Sequence, residues 1–220
     1  MESGAKRVYL IEEPVAAAIG AGVDITKPSG NLVIDIGGGT TDIAVISMSS
    51  AVMSSSIKTA GNRLDETLIK YFKRKYRILI GEKTAEEIKS TIGCVFPRVE
   101  NIGMKVRGRN LINGLPIEKE ITSEDIRWPL ESECMKIVEA VKTTIEKTPP
   151  ELVEDISNRG IYMTGGGSLL YGIDKIIQKY TGIKVIVAED AISCVATGTG
   201  KALDNLDLLD AKSKQAKMSN

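Results

Sequence analysis

The chain has 220 residues, of which 42% are hydrophobic and 26% are charged, a composition typical of a globular protein with one large or two small domains. Basic and acidic residues both number 29, so no net charge would recruit nucleic acid or an anionic membrane. Histidine is absent, which excludes serine–histidine and cysteine–histidine catalysis and histidine-ligated metals. No apolar run is long enough to cross a bilayer, and the polar N-terminus is unlike a signal peptide.

Three cysteines, Cys94, Cys134 and Cys194, are widely spaced and form no CxxC pair. Their odd number argues against a disulfide framework, and their spacing argues against a zinc site. We therefore expect a soluble protein of the reducing cytoplasm, with a core large enough to be stable without a disulfide or metal.

The first quarter of the chain predicts short strands around one helix. Glu12-Glu13-Pro14 begins the helix and places proline in its first turn. Three glycines join two apolar strands, and a third strand follows. The predicted elements are strands at 8–11, 31–36, 42–47 and 51–57, and a helix at 15–20.

The middle section predicts helices at 62–77 and 84–93. In the first of these, Leu64, Leu68, Phe72 and Tyr76 recur at helical spacing, which predicts that the Lys73-Arg74-Lys75 run is a solvated face. A β-rich segment over 104–121 follows, with turns expected at Arg107-Gly108 and Asn113-Gly114.

The last part of the chain returns to alternating elements. A helix containing Cys134 to Ile145 ends before Pro149-Pro150, and Trp128-Pro129 should delay or kink its start, at a cost of about 3 kcal/mol in a helix interior. Strands at 161–164 and 184–188 alternate with helices marked by Leu169 to Tyr180 and by 193–206. The whole pattern predicts an α/β sheet with helices on its faces and a smaller lobe inserted at about 59–128.

The segment Asp35-Ile-Gly-Gly-Gly-Thr-Thr-Asp42 is the first candidate site. Its glycines let backbone N–H groups approach a phosphate closely, and Asp35 could hold magnesium through water. The alternative is a glycine-rich β-hairpin with no ligand.

Two further segments could face a ligand. Thr164-Gly165-Gly166-Gly167-Ser168 lies at a strand-to-helix junction, where a helix N-terminus could receive a phosphate or ribose, or where Ser168 could simply cap a tight turn. Glu13 could face a ligand from the end of a strand, or could be an ordinary acidic residue at a helix start. Neither glycine segment fits the dinucleotide or P-loop pattern.

The order and spacing of four segments resemble the ATPase fold shared by actin, MreB and the heat-shock chaperones: EEPVAAAIG, DIGGGTTD, YMTGGGSLL and SCVATGTGKAL. Within that group, the chain resembles the MreB/Mbl family of bacterial actin homologues. The segments that carry this resemblance are GNRLDETLIKYF, EKTAEEIK, VRGRNLINGLP and KTPPELVEDISNRGIYMTGGG.

The resemblance implies domain II of an α/β actin-like ATPase of RNase H-like type, with an inserted smaller α+β lobe. It assigns 1–23 to the end of domain I as a connecting strand and helix, 24–58 and 129–192 to the large lobe, 59–128 to the small lobe, 193–209 to a second connecting helix and 210–220 to a polar tail. The family's first phosphate motif is expected to be missing with the N-terminal half.

The resemblance also implies roles for individual residues. Glu13 would position the attacking water with the assistance of Thr40, and Asp35 would reach Mg²⁺ through water. The residues expected to contact ATP or ADP are Gly37, Gly38, Gly39, Thr40, Glu86, Glu87, Ile88, Lys89, Gly165, Gly166, Gly167, Ser168 and Leu169. Glu86 and Lys89 could instead form an ordinary exposed ion pair one helical turn apart.

The function implied by the resemblance is a filament-forming, ATP-binding cytoskeletal protein that organises cell-wall elongation and rod shape. Expected partners are further copies of the chain and the elongation proteins RodZ, MreC and MreD, with membrane contact made mainly through the N-terminal half and no nucleic acid. Its filaments would lie at the membrane inside the cytoplasm. The alternatives are a chaperone-type ATPase, disfavoured by the short polar tail after Leu209, and a non-enzymatic assembly fragment unable to hydrolyse ATP alone.

Overall fold

A computed structural model describes residues 8–203 of the chain. The strands are β1 (Asn31–Ile36), β2 (Thr41–Ser47), β3 (Ser50–Ile57), β4 (Ile78–Leu79), β5 (Gly103–Asn110), β6 (Pro116–Thr122), β7 (Ile161–Thr164) and β8 (Val185–Val187). The helices are α1 (Glu13–Gly20), α2 (Gly61–Lys75), α3 (Glu82–Ile92), α4 (Ser123–Glu146), α5 (Pro150–Arg159), α6 (Ile173–Thr181) and α7 (Cys194–Leu203). The predicted tail at 210–220 and the end of the last helix lie outside the described residues.

The larger sheet has five strands in the order β3-β2-β1-β7-β8. Its central strand β1 pairs antiparallel with β2 and parallel with β7, and all six of its residues are buried. Leu32, Ile34 and Ile36 pack into one apolar cluster, and Val33 packs with α1 into another. Helices therefore cover both faces, which explains the continuous apolar sequence of this strand.

The second sheet is antiparallel, in the order β4-β5-β6, and α2 and α3 pack beside it. Leu64, Leu68 and Phe72 are buried and the 73–75 run is exposed, as predicted. The turn expected at Arg107-Gly108 is wrong, because both residues lie inside β5. A side chain at Gly108 would overlap Ile78, so this glycine allows β4 to approach β5.

Helix α4 begins at Ser123, six residues before Pro129, so the expectation that proline would delay its start is wrong. Thr122 and Asp125 form a capping box that fixes the helix start. Proline at 129 removes the N–H that would bond to the Asp125 carbonyl four residues earlier. The Tyr71 hydroxyl donates a hydrogen bond to that carbonyl instead, at 2.5 Å. A side chain from α2 thereby replaces the missing backbone donor.

Two further expectations are wrong, and one helix was not predicted. Residues 8–11 form no strand, because among the described residues this segment pairs with no other strand. The helix expected from Leu169 begins only at Ile173, since Gly172 has a φ of 86° and a side chain there would overlap Phe96. Helix α5, which starts at Pro150, was not predicted.

None of the helices between residues 8 and 203 combines the length and the apolar character that a membrane crossing requires.

Candidate functional site

A cavity of about 980 Å³ lies between the loop after β1, the first turn of α2, helix α3 and the segment after β7. This volume falls in the range of roughly 300–1,000 Å³ that small-molecule sites occupy. The residues that line it include Gly37, Gly38, Gly61, Asn62, Asp65, Glu86, Lys89, Arg98, Gly166, Gly167, Leu169, Tyr171 and Ile192.

The first glycine loop turns between the antiparallel strands β1 and β2, so it is a hairpin connection. The N–H of Gly37 donates to Thr40 O at 3.0 Å, but those of Gly38 and Gly39 donate to no acceptor within residues 8–203. Neither residue has a positive φ, and a Cβ would meet nothing at Gly39 and only Asn62 Oδ1, at 3.5 Å, at Gly38. The fold itself therefore does not require these glycines, whereas close approach of a ligand to their N–H groups would.

The second glycine segment is mainly structural. Gly165 has a φ of 79°, and side chains at Gly165 or Gly167 would overlap Ile36. Ser168 Oγ donates to Gly165 O at 2.7 Å, which is the tight turn proposed as the alternative. The segment is a single 3₁₀ turn, so the helix N-terminus expected here is absent. Only Gly166 has open space around its Cα and an ordinary φ.

Acidic residues lie at both ends of the first glycine loop and at the start of α1. Asp35 is 4% exposed and accepts a hydrogen bond from Thr164 Oγ1 at 2.7 Å. Burial raises the pKa of Asp35, the Thr164 hydrogen bond partly offsets this, and the Asp42 charge raises it further. Burial and the charges of Asp35 and Asp42 also raise the pKa of Glu13, at the start of α1. Asp35 and Asp42 are paired across β1 and β2, and Glu13 lies within range of both charges. Asp42 was not predicted as a site residue.

Thr40 lies at the same end of the loop. Its Oγ1 donates to Asp42 Oδ2 at 2.9 Å, and the residue is exposed. Three elements therefore supply this group of side chains: the start of α1, the end of β1 and the start of β2. We call the group, which consists of Glu13, Asp35, Thr40 and Asp42, the acidic corner.

The side chain of Lys89 crosses from α3 to α2. Its Nζ contacts Asp65 Oδ2 at 2.8 Å and Gly61 O at 3.2 Å, and it forms no ion pair with Glu86. The exposed-pair alternative is therefore wrong. Burial raises the pKa of Asp65, and the Lys89 hydrogen bond opposes this shift.

The four residues predicted on α3 separate into two groups. Glu86 and Lys89 line the cavity. Ile88 is fully buried in the core and Glu87 is exposed away from the lining. Helical geometry explains this division, since adjacent residues on a helix point about 100° apart.

Leu169, a predicted site residue, is 58% exposed and places an apolar side chain at the cavity wall. Sequence analysis missed several other lining residues. One is Ile192, which is 68% exposed and also places an apolar side chain there. Arg98 stacks on Tyr171, with its guanidinium carbon 4.1 Å from the ring centroid. The start of α2 also lines the cavity at Gly61 and Asn62. Of these regions, only the start of α2 had a sequence signal, a small residue and a polar residue at the beginning of an amphipathic helix.

Comparison with known proteins identifies the family. Residues 1–211 match the family model described as MreB/Mbl protein. The chain belongs to the MreB/Mbl family. It is 50% identical over 207 residues to the cell shape-determining protein Mbl of Bacillus cereus, a match that covers 94% of this chain and 62% of that protein. The cell shape-determining protein MreB of Escherichia coli is 50% identical over 206 residues, covering 94% and 59% respectively.

Solved structures of MreB-type proteins share the fold. MreB5 of Spiroplasma citri bound to AMPPNP is 43% identical with a TM-score of 0.91, covering 94% of this chain and 62% of that one. The same protein bound to ADP is 42% identical with a TM-score of 0.91, covering 96% and 64%. A MamK double helical filament, 21% identical with a TM-score of 0.67 over 88% of this chain and 58% of that one, shares the fold. These matches confirm the expected actin-like ATPase fold.

Proposed function

We propose that the chain binds ATP and ADP in the 980 Å³ cavity, as part of an actin-like protein that determines cell shape. The observation that carries this proposal is the first glycine loop, where two N–H groups have no acceptor among the described residues and two glycines have no structural requirement. The relative from Spiroplasma citri bound to AMPPNP, at 43% identity, supports the choice of nucleotide.

Within this proposal, the two ends of the nucleotide have different binding surfaces. Gly37, Gly38 and Gly39 receive the β- and γ-phosphates through backbone N–H groups. Leu169 and Ile192 contribute apolar surface for the base, and Glu86 and Lys89 face the adenosine from α3. Gly166 lets the backbone approach the nucleoside closely. Gly165, Gly167 and Ser168 shape the loop, and we assign Glu87 and Ile88 no side-chain contact.

The acidic corner fits a magnesium ion that arrives with the nucleotide. Among residues 8–203 no three potential ligands lie close enough to hold a metal ion by themselves, but magnesium is usually held by one or two carboxylates together with substrate phosphates and water. Asp35 would hold it through water. When bound, magnesium would neutralise charge that develops on the phosphates.

ATP hydrolysis in the full-length protein would be transfer of a phosphoryl group to water, in which positioning and electrostatics do most of the work. Glu13 would orient the attacking water, because it begins α1 beside Asp35 and its raised pKa makes it a better proton acceptor than an ordinary glutamate. Thr40 would assist from the loop, held by Asp42.

At the cellular level, we propose self-association into filaments that organise cell-wall elongation beneath the membrane. The MamK double helical filament, which shares this fold, shows that the fold is compatible with filaments. RodZ, MreC and MreD are the elongation proteins proposed as partners. The chain spans 62% of the Bacillus cereus Mbl and 59% of the Escherichia coli MreB, so these roles are proposed for the whole protein.

The test measures magnesium-dependent nucleotide binding and hydrolysis by two proteins. One is the chain alone, and the other is the chain joined to the part of the Bacillus cereus Mbl that lies outside the match. Gly38→Ala and Gly166→Ala should fold normally yet lower ATP affinity by about tenfold or more, because a methyl group would occupy space needed by the ligand. Gly200→Ala is the control, because an added Cβ at Gly200 also meets nothing within 4 Å.

The outcomes separate the proposals. Glu13→Ala should abolish hydrolysis and leave ATP binding within about twofold in the extended protein, because its role lies in the chemical step. Binding without hydrolysis in any version would leave the non-enzymatic assembly role. An extended protein that neither binds nor hydrolyses ATP would refute the nucleotide site.

A further inference from the structure

The start of α2 is attached to the first glycine loop by two hydrogen bonds. Gly61 N–H donates to Gly37 O at 3.1 Å, and Asn62 N–H donates to Gly38 O at 2.8 Å. These N–H groups belong to the first turn of α2, where no intrahelical acceptor exists. Because each peptide unit is planar, fixing these two carbonyls also fixes the direction of the next N–H groups, those of Gly38 and Gly39. The start of α2 therefore orients the N–H groups of Gly38 and Gly39, which are the proposed phosphate donors.

The next residue, Arg63, connects the same turn to helix α4. Its Nε contacts Glu133 Oε1 of α4 at 3.2 Å, and its Nη1 contacts Glu66 Oε2 at 2.8 Å. Glu133 is only 9% exposed and is also held by Lys136 Nζ at 2.8 Å. Burial acts to raise the pKa of Glu133, but Lys136 and Arg63 outweigh it, so the pKa lies below its usual value.

We infer that Arg63 is a positioning residue for phosphate binding: its ion pair with Glu133 holds the first turn of α2 against the Gly37-Gly38 carbonyls and thereby orients the loop's free N–H groups. This inference rests on the proposed nucleotide site. Arg63 itself does not line the cavity, so it acts through α2.

The burial of Glu133 distinguishes this pair from ordinary surface pairs. Exposed ion pairs contribute little because water replaces the lost partner. Here the carboxylate is nearly enclosed, so loss of Arg63 leaves it with Lys136 alone. The start of α2 then loses its tie to α4, and its movement weakens the two hydrogen bonds to the loop.

The variant Arg63→Met tests the inference, with Arg127→Met as its matched control. Arg127 is also an ion-paired arginine, but its partners Glu124 and Glu131 lie on its own helix α4, away from the cavity. Arg63→Lys keeps a charge that can reach Glu133 and should restore part of the lost function.

The first measurement is affinity for ADP and for adenosine, using the full chain. Arg63→Met should lower ADP affinity by about tenfold and change adenosine affinity by less than about twofold, because only the phosphates contact the loop. Arg127→Met should change neither. Equal losses for both ligands would show a general loss of structure and overturn the inference, as would unchanged ADP affinity.

The second measurement needs no nucleotide. In the unliganded chain, hydrogen exchange at the Gly61 and Asn62 amides should be about tenfold faster in Arg63→Met, with amides of β1 unchanged. If these amides keep their exchange rates, the inference is wrong even where nucleotide binds normally. A third outcome is that exchange changes as expected while the unaltered chain binds no nucleotide. The Arg63–Glu133 pair then does hold the start of α2, but the proposed function fails, and with it the role of Arg63 in phosphate binding.

Discussion

The hydrogen bond from Tyr71 to the Asp125 carbonyl yields a quantitative test of how α4 tolerates proline. Tyr71→Phe removes the one donor within residues 8–203 that replaces the N–H that Pro129 lacks. A buried carbonyl left without a donor costs about 1–3 kcal/mol, and this one is partly buried. We therefore expect the free energy of unfolding to fall by about 1.5 kcal/mol. For a chain of this size, Tm should fall by roughly 3–6 °C.

The decisive comparison is a double-mutant cycle with Pro129→Ala, measured by urea denaturation. Alanine at 129 restores an N–H that can bond to the Asp125 carbonyl, so Tyr71→Phe should then cost about 0.5 kcal/mol or less, a coupling of about 1 kcal/mol. Tyr180→Phe is the control, because the Tyr180 hydroxyl has no hydrogen bond within residues 8–203. An equal cost of Tyr71→Phe in both backgrounds would refute the proposed compensation.

Three other variants test separate features. Gly198→Ala should destabilise by about 3 kcal/mol in urea denaturation, since its methyl group would overlap the Ala16 carbonyl where α1 crosses α7. Gly200→Ala on the same helix should be neutral or stabilise by up to about 1 kcal/mol, and a loss equal to that of Gly198→Ala would contradict the close crossing. Asp35→Asn should raise the free energy of unfolding at pH 7, as measured by urea denaturation. The pKa of Asp35 is raised in the folded state, so its contribution to stability is complete below the unfolded pKa and is lost as pH rises through the folded pKa. The variant should therefore gain nothing near pH 3 and most near pH 7, and a gain that does not depend on pH would contradict this sign.

The local patterns predicted most elements because their signals lie within short stretches of sequence. The apolar run at 31–36 became the central strand, and the spacing of Leu64, Leu68 and Phe72 correctly placed one face of α2 in the core. Errors occurred where a partner distant in sequence decides the structure. The residues at 8–11 need a neighbouring strand, and Gly108 is a glycine because β4 packs against it.

The candidate site shows the same division. Sequence alone pointed to the glycines and to Glu13, Asp35 and Thr40, but it could not distinguish ligand-facing glycines from structural ones. The tertiary structure separates them, because Gly165 and Gly167 press against Ile36 whereas Gly166 does not. It also shows that Lys89 pairs with Asp65 on the neighbouring helix rather than with Glu86.

The amino-acid sequence was enough to predict the family, the alternation of strands and helices, and the positions of the glycine loops, since each is recognised from short motifs and their order along the chain. The folded structure was needed to show which glycines could be replaced without a clash, how the start of α2 is hydrogen-bonded to the first glycine loop and how Pro129 is tolerated inside α4. Those features depend on contacts between residues as far apart as Arg63 and Glu133 or Asp35 and Thr164. Local propensity carries no information about such contacts until the chain has folded.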